Sequence, residues 1–336
     1  MKLQRMASVS ISMGVGLMGA VWVPTLGCSG VSAEESALES DDALGRHRRD
    51  SGATDSGTGA TDAGTDAATD GGGATVLDGG FVWPDITNTG APTGTTFTVH
   101  DGDLELRTAG QIVDAVHVRG GTVLCEAANI TIRNAKITGG GILAFPSCTG
   151  LRVDGVEVDC ENAVGSSGFS QDNGVVGQDI EIRHVNSHRC ENGIFIDNGV
   201  HVYDSWIHEP IAPGDTFTGA HSDGIQLWAG ASDVVIQDNV IDYRGDTTSA
   251  IITGCSSADA CGMKIHHNKL AGGAYTLYLP NERGPLGQPL TNVAVTDNRF
   301  GQNAFAFGYC TGWTSELAQW SGNVVDETGA TLASCD

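Results

Sequence analysis

The chain has 336 residues, a formal net charge of −24 at pH 7 and 48 glycines. This length allows one large folded core or two smaller ones. The negative charge argues against nucleic acid as a partner, because phosphate recognition depends on lysine and arginine.

The N-terminus has the layout of an export signal. Lys2 and Arg5 precede an apolar run from Val9 to Val23, and the small residues TLGCSG follow it. A basic start, an apolar stretch and small residues in this order are typical of a secretory signal. The run is too short to favour a membrane span.

The end of this run resembles a bacterial lipoprotein signal. In such signals the cysteine after the cleavage point, here Cys28, becomes the lipidated first residue of the mature chain. Thr25 stands where the motif usually has leucine, so a plain signal peptide is the alternative. We predict a signal peptide over residues 1–27 and an exported protein held by a lipid at the bacterial cell surface or outer membrane, with secretion as the alternative.

The composition of residues 28–75 predicts a disordered tether. The stretch GATDSGTGATDAGTDAATDGGG consists almost wholly of Gly, Ala, Thr, Ser and Asp. Such a segment cannot bury enough apolar surface to offset the entropy lost on ordering. We therefore expect residues 76–336 to form the folded domain, held off a membrane by the tether.

Eight cysteines follow Cys28, and an even number suits disulfide bonds in an exported protein. Zinc ligation is the alternative, but no two of these cysteines stand in a C-x-x-C arrangement. Eight cysteines allow 105 connectivities. Spacing and order along the chain favour the pairs Cys125–Cys148, Cys160–Cys190, Cys255–Cys261 and Cys310–Cys335.

A short unit of alternating apolar residues repeats through the folded domain. It reads NITIRNAKI, GLRVDGVEV, DIEIRHVNS, GVHVYDSWI, DVVIQDNVI, GMKIHHNKL and NVAVTDNRF, with a weaker copy at AQWSGNVV. Spacing within the unit is constant while the steps between units vary. This indicates coils of fixed cross-section with loops inserted at one corner.

A second short strand follows most units, as in NGIFID, DGIQLW, SAIITG and AYTLYL. Short strands in coils of about 20 to 30 residues predict an all-β fold, a single-stranded right-handed parallel β-helix of about 8 coils. Leucine-rich repeats would show regular leucine spacing, and a propeller would need about four strands per 40-residue blade. One fixed position carries asparagines that we expect to stack structurally at a coil corner: Asn239, Asn268, Asn298 and Asn323.

Residues 84–331 resemble exported bacterial right-handed parallel β-helix repeat proteins of the pectin-lyase-like superfamily. The resemblance rests on the stretch from TNTGAPTG to NITIRNAKITG and on NVAVTDNRFG and WSGNVVDETG. The resemblance implies a right-handed parallel β-helix. It is weak for activity, because the superfamily includes lyases, hydrolases, epimerases and non-catalytic members.

The second strands predict a groove on one face of the β-helix. We align Ala274 with Ala250 and with the glycines of earlier strands, which turns Tyr275 inward and Thr276 outward. The outward side chains mix aromatic platforms with hydrogen-bonding groups, as a sugar-binding groove would. The predicted substrate-binding residues are Asp197, Gln226, Trp228, Tyr278, Arg189 and Arg283.

Polar residues before these strands supply candidate catalytic groups. The loop EPIAPGDTFTGAHSD lies in the longest step of the repeat, and long loops on a rigid scaffold commonly carry function. We expect His221, Asp223, Gln226 and Trp228 to face outward at the mouth of this loop. The predicted catalytic residues are His221, Asp223, His208, Asp246 and Arg244.

A uronate lyase or epimerase is the favoured activity. Such an enzyme neutralises the substrate carboxylate with arginine or Ca²⁺ and removes the C5 proton with a base. Residues 76–336 hold 31 acidic and 12 basic side chains, so an anionic substrate would require such local cations, whereas a neutral glycan would not. The candidate cations are Arg189, Arg244 and Arg283, and the candidate bases are His208, His221 and Tyr278.

A glycoside hydrolase is the first alternative, with Asp223 and Asp246 as its two carboxyl groups on adjacent coils. HSDGIQ followed by GDTTSAI is similar to the polygalacturonase pattern N-T-D-G-[IF] followed by G-D-D-C-[IV]-A-I. The similarity is incomplete, because Thr247 replaces the second aspartate of the pair and no G-H-G or R-x-K motif follows.

A non-catalytic glycan-binding or adhesive surface module is the next alternative, followed by a mainly structural tethered β-helix. For the enzyme and the binding module, the expected partner is an extracellular polysaccharide. We expect a monomer, and Ca²⁺ is the one candidate cofactor.

Overall fold

A computed structural model describes residues 80–161, 173–211, 222–227, 231–245, 247–253, 262–279, 290–301, 307–312 and 317–335. They belong to one compact unit, Asp70–Asp336. The predicted signal peptide, Cys28 and the predicted tether lie outside the described residues. Within the ranges above, no helix is long and apolar enough to cross a membrane.

All regular elements in the described ranges are β-strands. The first thirteen are β1 (Thr98–Asp101), β2 (Leu104–Leu106), β3 (Ile112–Asp114), β4 (Val116–Arg119), β5 (Val123–Cys125), β6 (Thr131–Thr138), β7 (Ile142–Ala144), β8 (Leu151–Asp159), β9 (Asn173–Gly177), β10 (Ile180–Arg183), β11 (Asn186–His188), β12 (Asn192–Ile196) and β13 (Val200–Tyr203). The others are β14 (Trp206–His208), β15 (Asp223–Leu227), β16 (Val234–Gln237), β17 (Val240–Tyr243), β18 (Ser249–Ile252), β19 (Met263–His266), β20 (Lys269–Gly272), β21 (Tyr275–Tyr278), β22 (Leu290–Thr296), β23 (Arg299–Phe300), β24 (Gly308–Thr311), β25 (Leu317–Ser321) and β26 (Val324–Val325).

Each coil contributes strands to three faces, and each strand pairs in parallel with its counterpart one coil further on. Face A carries β3, the first halves of β6 and β8, and β10, β13, β16, β19, β22 and β25. Face B carries β1, β4, the second halves of β6 and β8, and β11, β14, β17, β20, β23 and β26. Face C carries β2, β5, β7, β9, β12, β15, β18, β21 and β24. The fold is therefore an all-β parallel β-helix.

Nine strands on face C mean nine coils, one more than the roughly eight predicted. Strands β2 and β5 lie before the first clear copy of the repeat, NITIRNAKI, whereas no described face-C strand follows the weak copy over β25 and β26, so the net difference is one. The core fills the inside of the coils with columns of branched residues in register. One such column, fully shielded from solvent on face A, is Ile132, Val153, Ile182, Val202, Ile236, Ile265 and Val295.

The predicted asparagine stack is confirmed at the corner between faces A and B. The Oδ1 of Asn268 accepts hydrogen bonds from the backbone N and the Nδ2 of Asn239, both at 3.0 Å. Asn268 in turn donates to the Oδ1 of Asn298, which donates to that of Asn323. All four side chains are fully buried, so the stack satisfies polar groups that no water reaches.

This stack coincides with corners of constant length. Two residues separate the face-A strand from the face-B strand in each of the six coils from β10–β11 to β25–β26. Between faces B and C the connection varies from two to fourteen residues, and between faces C and A from two to eleven. The prediction of insertions at a single corner is therefore wrong: both corners that flank face C take them, since neither carries the asparagine stack.

Three of the four predicted disulfides are confirmed: Cys125–Cys148, Cys160–Cys190 and Cys310–Cys335. The first two join neighbouring coils and the third joins β24 to the segment after β26, with Cα atoms 4.9 to 5.6 Å apart. Cys255 and Cys261 lie outside the described residues. Disulfides of this kind are characteristic of proteins that fold in an oxidising compartment.

Candidate functional site

The outward side chains of face C form a column that includes two predicted residues. Gln226 pairs with Phe195 below it and with Ile252 above it, and Ile252 pairs with Tyr278. Adjacent strands are about 4.8 Å apart, so successive residues of this column are close neighbours. Gln226 and Tyr278 are both half-buried.

The predicted alignment of β21 is wrong by two residues. Ile251 pairs with Leu277, so Thr276 rather than Ala274 occupies the position of Ala250. The cause is the turn before β21, where Gly272 and Gly273 both take positive φ values, 97° and 83°. Thr276 is consequently buried rather than outward, and Tyr275 is half-exposed rather than inward.

Asp197 lies at the end of β12, two residues beyond the column that contains Gln226. It borders a shallow pocket of about 240 Å³ whose other lining is mostly apolar. Its Oδ1 accepts hydrogen bonds from the backbone N and the Nδ2 of Asn198, both at 2.8 Å. The Asp197 carboxylate therefore also stabilises the turn that follows β12.

Asp223 does not face outward as predicted, because it is fully buried at the start of β15. It belongs to a ladder of buried polar side chains at the beginning of successive face-C strands. Asn192 donates to the Oδ1 of Asn173 at 2.7 Å, and its own Oδ1 accepts from the backbone N of Asp223 at 3.1 Å. Ser249 donates to the Asp223 carboxylate. The predicted residues His221, Trp228, Asp246 and Arg283 lie outside the described residues.

A second group of outward polar side chains lies on face B, where it meets the corner toward face C. One column pairs Glu157, Asn186 and Trp206, and the adjacent column pairs Asp159, His188, His208 and Asp242. We call these seven residues the face-B cluster. Although they point away from the core, several are shielded from water: Asn186 is 2% exposed, Asp159 6% and His208 7%.

Three aromatic rings stack within this cluster. The Trp206 and His208 rings are nearly parallel, with centroids 3.4 Å apart, and the His188 ring lies 5.3 Å from that of His208. The Nε2 of His208 is 2.9 Å from the Oδ1 of Asn186. Because that oxygen accepts, the His208 proton is on Nε2.

Two of the three arginines predicted to meet substrate, Arg189 and Arg244, are paired with carboxylates of the cluster. Arg189 binds Asp159 through two guanidinium nitrogens, one of them 2.7 Å from Oδ1. Arg244 binds Asp242 in the same way, with Nε 2.6 Å from Oδ1. In a bidentate pair the carboxylate compensates the charge of the guanidinium group, so the pair attracts an anionic ligand only weakly.

Two carboxylates of β8, Glu157 and Asp159, are held ionised. Hydrogen bonds from His188 and Lys136 lower the pKa of Glu157 to about 2, against the opposing effect of burial. Burial acts to raise the pKa of Asp159, but hydrogen bonds from Arg189 and from the backbone of Glu161 bring it below its usual value. A glycosidase acid needs a raised pKa, so neither residue suits that role.

The two predicted bases that lie among the described residues, His208 and Tyr278, are also poorly matched to proton removal near neutral pH. Burial, with a contribution from His188, lowers the pKa of His208 to about 3, so its imidazole is a weak base. Burial, together with Tyr275 and Asp223, raises the pKa of Tyr278, which therefore stays protonated and acts as a hydrogen-bond donor.

Residues of the face-B cluster that the sequence reasoning missed carry a usable signal. The period-2 alternation of the second strands also holds for the last residues of each repeat unit. There the segments EVD, NSH, WIH and VID alternate outward, inward and outward. Reading them in register would have placed Glu157, Asp159, Asn186, Trp206 and Asp242 together.

We expect stability to fall in acid through His208. Its pKa is depressed in the folded state, so the unfolded chain takes up a proton first as the pH falls below about 6.5. The stabilising contribution is complete above that pH and is lost progressively toward pH 3. Urea unfolding from pH 7.5 to 3.5 should show a shallower decline for His208→Gln than for the unchanged chain. An identical decline would contradict the assignment, and His100→Gln, at a half-buried position on β1, serves as the control.

Among the described residues, no group of three or more His, Cys, Asp or Glu side chains is placed to hold a metal ion. Ca²⁺ therefore stays a prediction from the sequence. No family model and no curated protein matches the chain. Among solved structures, it is similar to the crystal structure of the Dettilon tailspike protein, with a TM-score of 0.34 and 15% identity over 68% of this chain and 54% of that one. The chain thus spans about half the length of the tailspike protein.

Proposed function

We propose that this protein binds a neutral extracellular polysaccharide on face B. The observation that carries the proposal is the stack of Trp206, His208 and His188 among fixed hydrogen-bonding groups. The half-buried Trp206 ring can offer an apolar face to the C–H face of a sugar, and the half-buried Glu157 and Asp242 carboxylates can accept hydrogen bonds from its hydroxyl groups. The rigid coils hold these groups in place before the ligand arrives, which lowers the entropic cost of binding.

The charges of the cluster favour a neutral ligand over a uronate. Lys136, Arg189 and Arg244 are each paired with a carboxylate, at Glu157, Asp159 and Asp242 respectively. Residues 76–336 carry 12 basic and 31 acidic side chains, a difference of −19. A polyanion would therefore be repelled at long range and would have to displace an existing ion pair at the surface.

The pKa pattern supports binding rather than turnover. Glu157 and Asp159 are too acidic to donate a proton at neutral pH, and His208 is too weakly basic to accept one. The hydrolase alternative also requires Asp223 to reach a sugar, and that residue is fully buried.

A uronate lyase or epimerase is the second candidate, and His188 is the observation that favours it. Glu157 is ionised and only accepts, so the His188 Nε2, 3.4 Å away, donates this hydrogen bond. Its Nδ1 has no hydrogen-bond partner among the described residues. His188 would remove the C5 proton through Nδ1, an atom that is buried, so the surrounding side chains would have to move to admit the substrate. The neighbouring Arg189 would be released from Asp159 to neutralise the substrate carboxylate.

We expect Trp206→Ala to weaken binding about tenfold, the effect of losing one stacking aromatic ring. The measurement is the retardation of the full chain in native gels cast with xylan, mixed-linkage β-glucan or galactomannan, and with alginate or polygalacturonate as the anionic set. Trp206→Phe keeps an aromatic face and should retain most of the affinity. Unchanged retardation of Trp206→Ala, or retardation in the anionic gels alone, would refute the proposal.

The lyase candidate is tested with the same anionic polymers in solution. Release of 4,5-unsaturated uronides, lost in His188→Ala but kept in Trp206→Phe, would establish elimination in place of binding alone. An epimerase would give no such release and would instead change the NMR spectrum of the polymer. Intact polymer with an unchanged spectrum would exclude the second candidate for these substrates.

A further inference from the structure

A second cavity lies on face C, in the coils of β21 and β24. It has a volume of about 290 Å³ and is lined by Tyr275, residues 307–312, Leu332, Ser334 and Cys335. The face-B cluster belongs to a different face and to earlier coils, so this cavity is a separate feature. Its size is at the lower end for small-molecule pockets and suits a single ring better than an extended chain.

Aromatic rings form the rim of the cavity. The Tyr275 ring lies 5.8 Å from the Phe307 ring at an interplanar angle of 36°, and 5.2 Å from the Tyr278 ring at nearly a right angle. Phe307 is 66% exposed, so it presents an apolar side chain to solvent beside the half-buried Tyr275 ring.

The described lining is free of charge but rich in hydroxyl groups. Tyr275, Tyr309, Thr311 and Ser334 each contribute one hydroxyl group, and none of the described lining residues is acidic or basic. An ionic ligand would gain no partner from this lining. A ligand with both apolar C–H faces and several hydroxyl groups matches it best, which is the chemistry of an uncharged pyranose ring.

One wall of the cavity depends on a disulfide. Leu332, Ser334 and Cys335 belong to the C-terminal segment, and Cys335 is bonded to Cys310 of β24. Trp320 adds a hydrogen bond from its Nε1 to the carbonyl of Leu332, at 2.9 Å. The last residues of the chain are thus fixed against face C, and the cavity exists because they are fixed.

We propose that this cavity is a second binding site, selective for a neutral sugar ring. The site goes beyond the face-B function and binds independently of it. An exported protein with both sites would hold one polysaccharide at two points or two chains at once, and two linked sites raise avidity without any new contact.

Titration calorimetry of the full chain with cellohexaose, mannohexaose and xylohexaose tests both sites together. We expect two binding events for at least one of these probes. Phe307→Ala should weaken one event about tenfold and leave the other unchanged, whereas Trp206→Ala should do the converse. Ser334→Trp fills the cavity instead of truncating its rim and should remove the same event as Phe307→Ala. Ile86→Ala, at a position 67% exposed, is the matched control and should change neither event.

The possible outcomes test the cavity and the face-B site separately. One event lost with Phe307→Ala alone supports the cavity and refutes the face-B site, and one event lost with Trp206→Ala alone does the reverse. Binding left intact by both Phe307→Ala and Ser334→Trp overturns the cavity proposal. No heat of binding with any of the three probes overturns both. Thermal melts confirm folding, and loss of the cavity event in Cys335→Ser would show that the C-terminal wall is required.

Discussion

Replacing Asn268 with alanine should lower the free energy of unfolding by about 3 kcal/mol or more. Asn268 accepts from the backbone N and the Nδ2 of Asn239 and donates to the carbonyl of Ile236 and to Asn298. Alanine leaves the Asn239 amide and the Ile236 carbonyl without these partners in a region that is fully buried. Each buried polar group that loses its partner costs about 1 to 3 kcal/mol.

Chemical denaturation followed by far-ultraviolet circular dichroism measures this loss. Asn198→Ala is the matched control, because Asn198 also bonds to the next coil, through the backbone N of Ser232 at 2.9 Å, but is exposed. Water can replace that bond, so a loss below about 1 kcal/mol is expected. Equal losses for the two variants would contradict a special role for burial in the stack.

Removing the Cys160–Cys190 disulfide should destabilise the protein by about 3 to 4 kcal/mol. The bond joins cysteines 30 residues apart, and its loss restores the corresponding loop entropy to the unfolded chain. Both cysteines are fully buried, so the serines of a Cys160→Ser/Cys190→Ser variant would add a cost of burying hydroxyl groups. A Cys160→Ala/Cys190→Ala variant separates the two contributions.

The same variant should also affect the face-B cluster, because Cys190 follows Arg189 directly and Cys160 follows Asp159 directly. The disulfide therefore fixes the two backbones whose side chains form the Arg189–Asp159 ion pair. We expect weaker glycan binding from this variant than from Cys125→Ala/Cys148→Ala, which removes a disulfide of similar separation away from the cluster. Equal binding by the two variants would show that the disulfide has no part in shaping the face-B site.

The repeated pattern was sufficient to predict the coils, the asparagine stack and three disulfides, because each depends on regular spacing. Apolar residues at every second position must point to the same side of a strand, whatever the remainder of the chain does. The predicted alignment of Tyr278 was wrong because it does not depend on regular spacing alone. Its register depends on the turn at Gly272 and Gly273, and the length of a turn is not fixed by the period of the strands.

The candidate site was predictable only in part. Asp223 is polar and stands beside a long loop, yet it is buried and hydrogen-bonded within a ladder of polar side chains from neighbouring coils. Whether a polar residue at a corner points in or out depends on its partners one coil away, which a single repeat unit does not show. The stack of Trp206 on His208 likewise needs the geometry of one strand and its neighbours together.

The difference between the corner of constant length and the two corners of variable length determines where the chain can accept inserted residues. An inserted residue between faces A and B would displace one asparagine from the stack and break several buried hydrogen bonds at once. At either corner of face C, doubling the length of a flexible connection costs only about 0.6 kcal/mol in closure entropy. The loops that flank face C can therefore change in length and sequence with little effect on stability, while the strands of face C keep their positions.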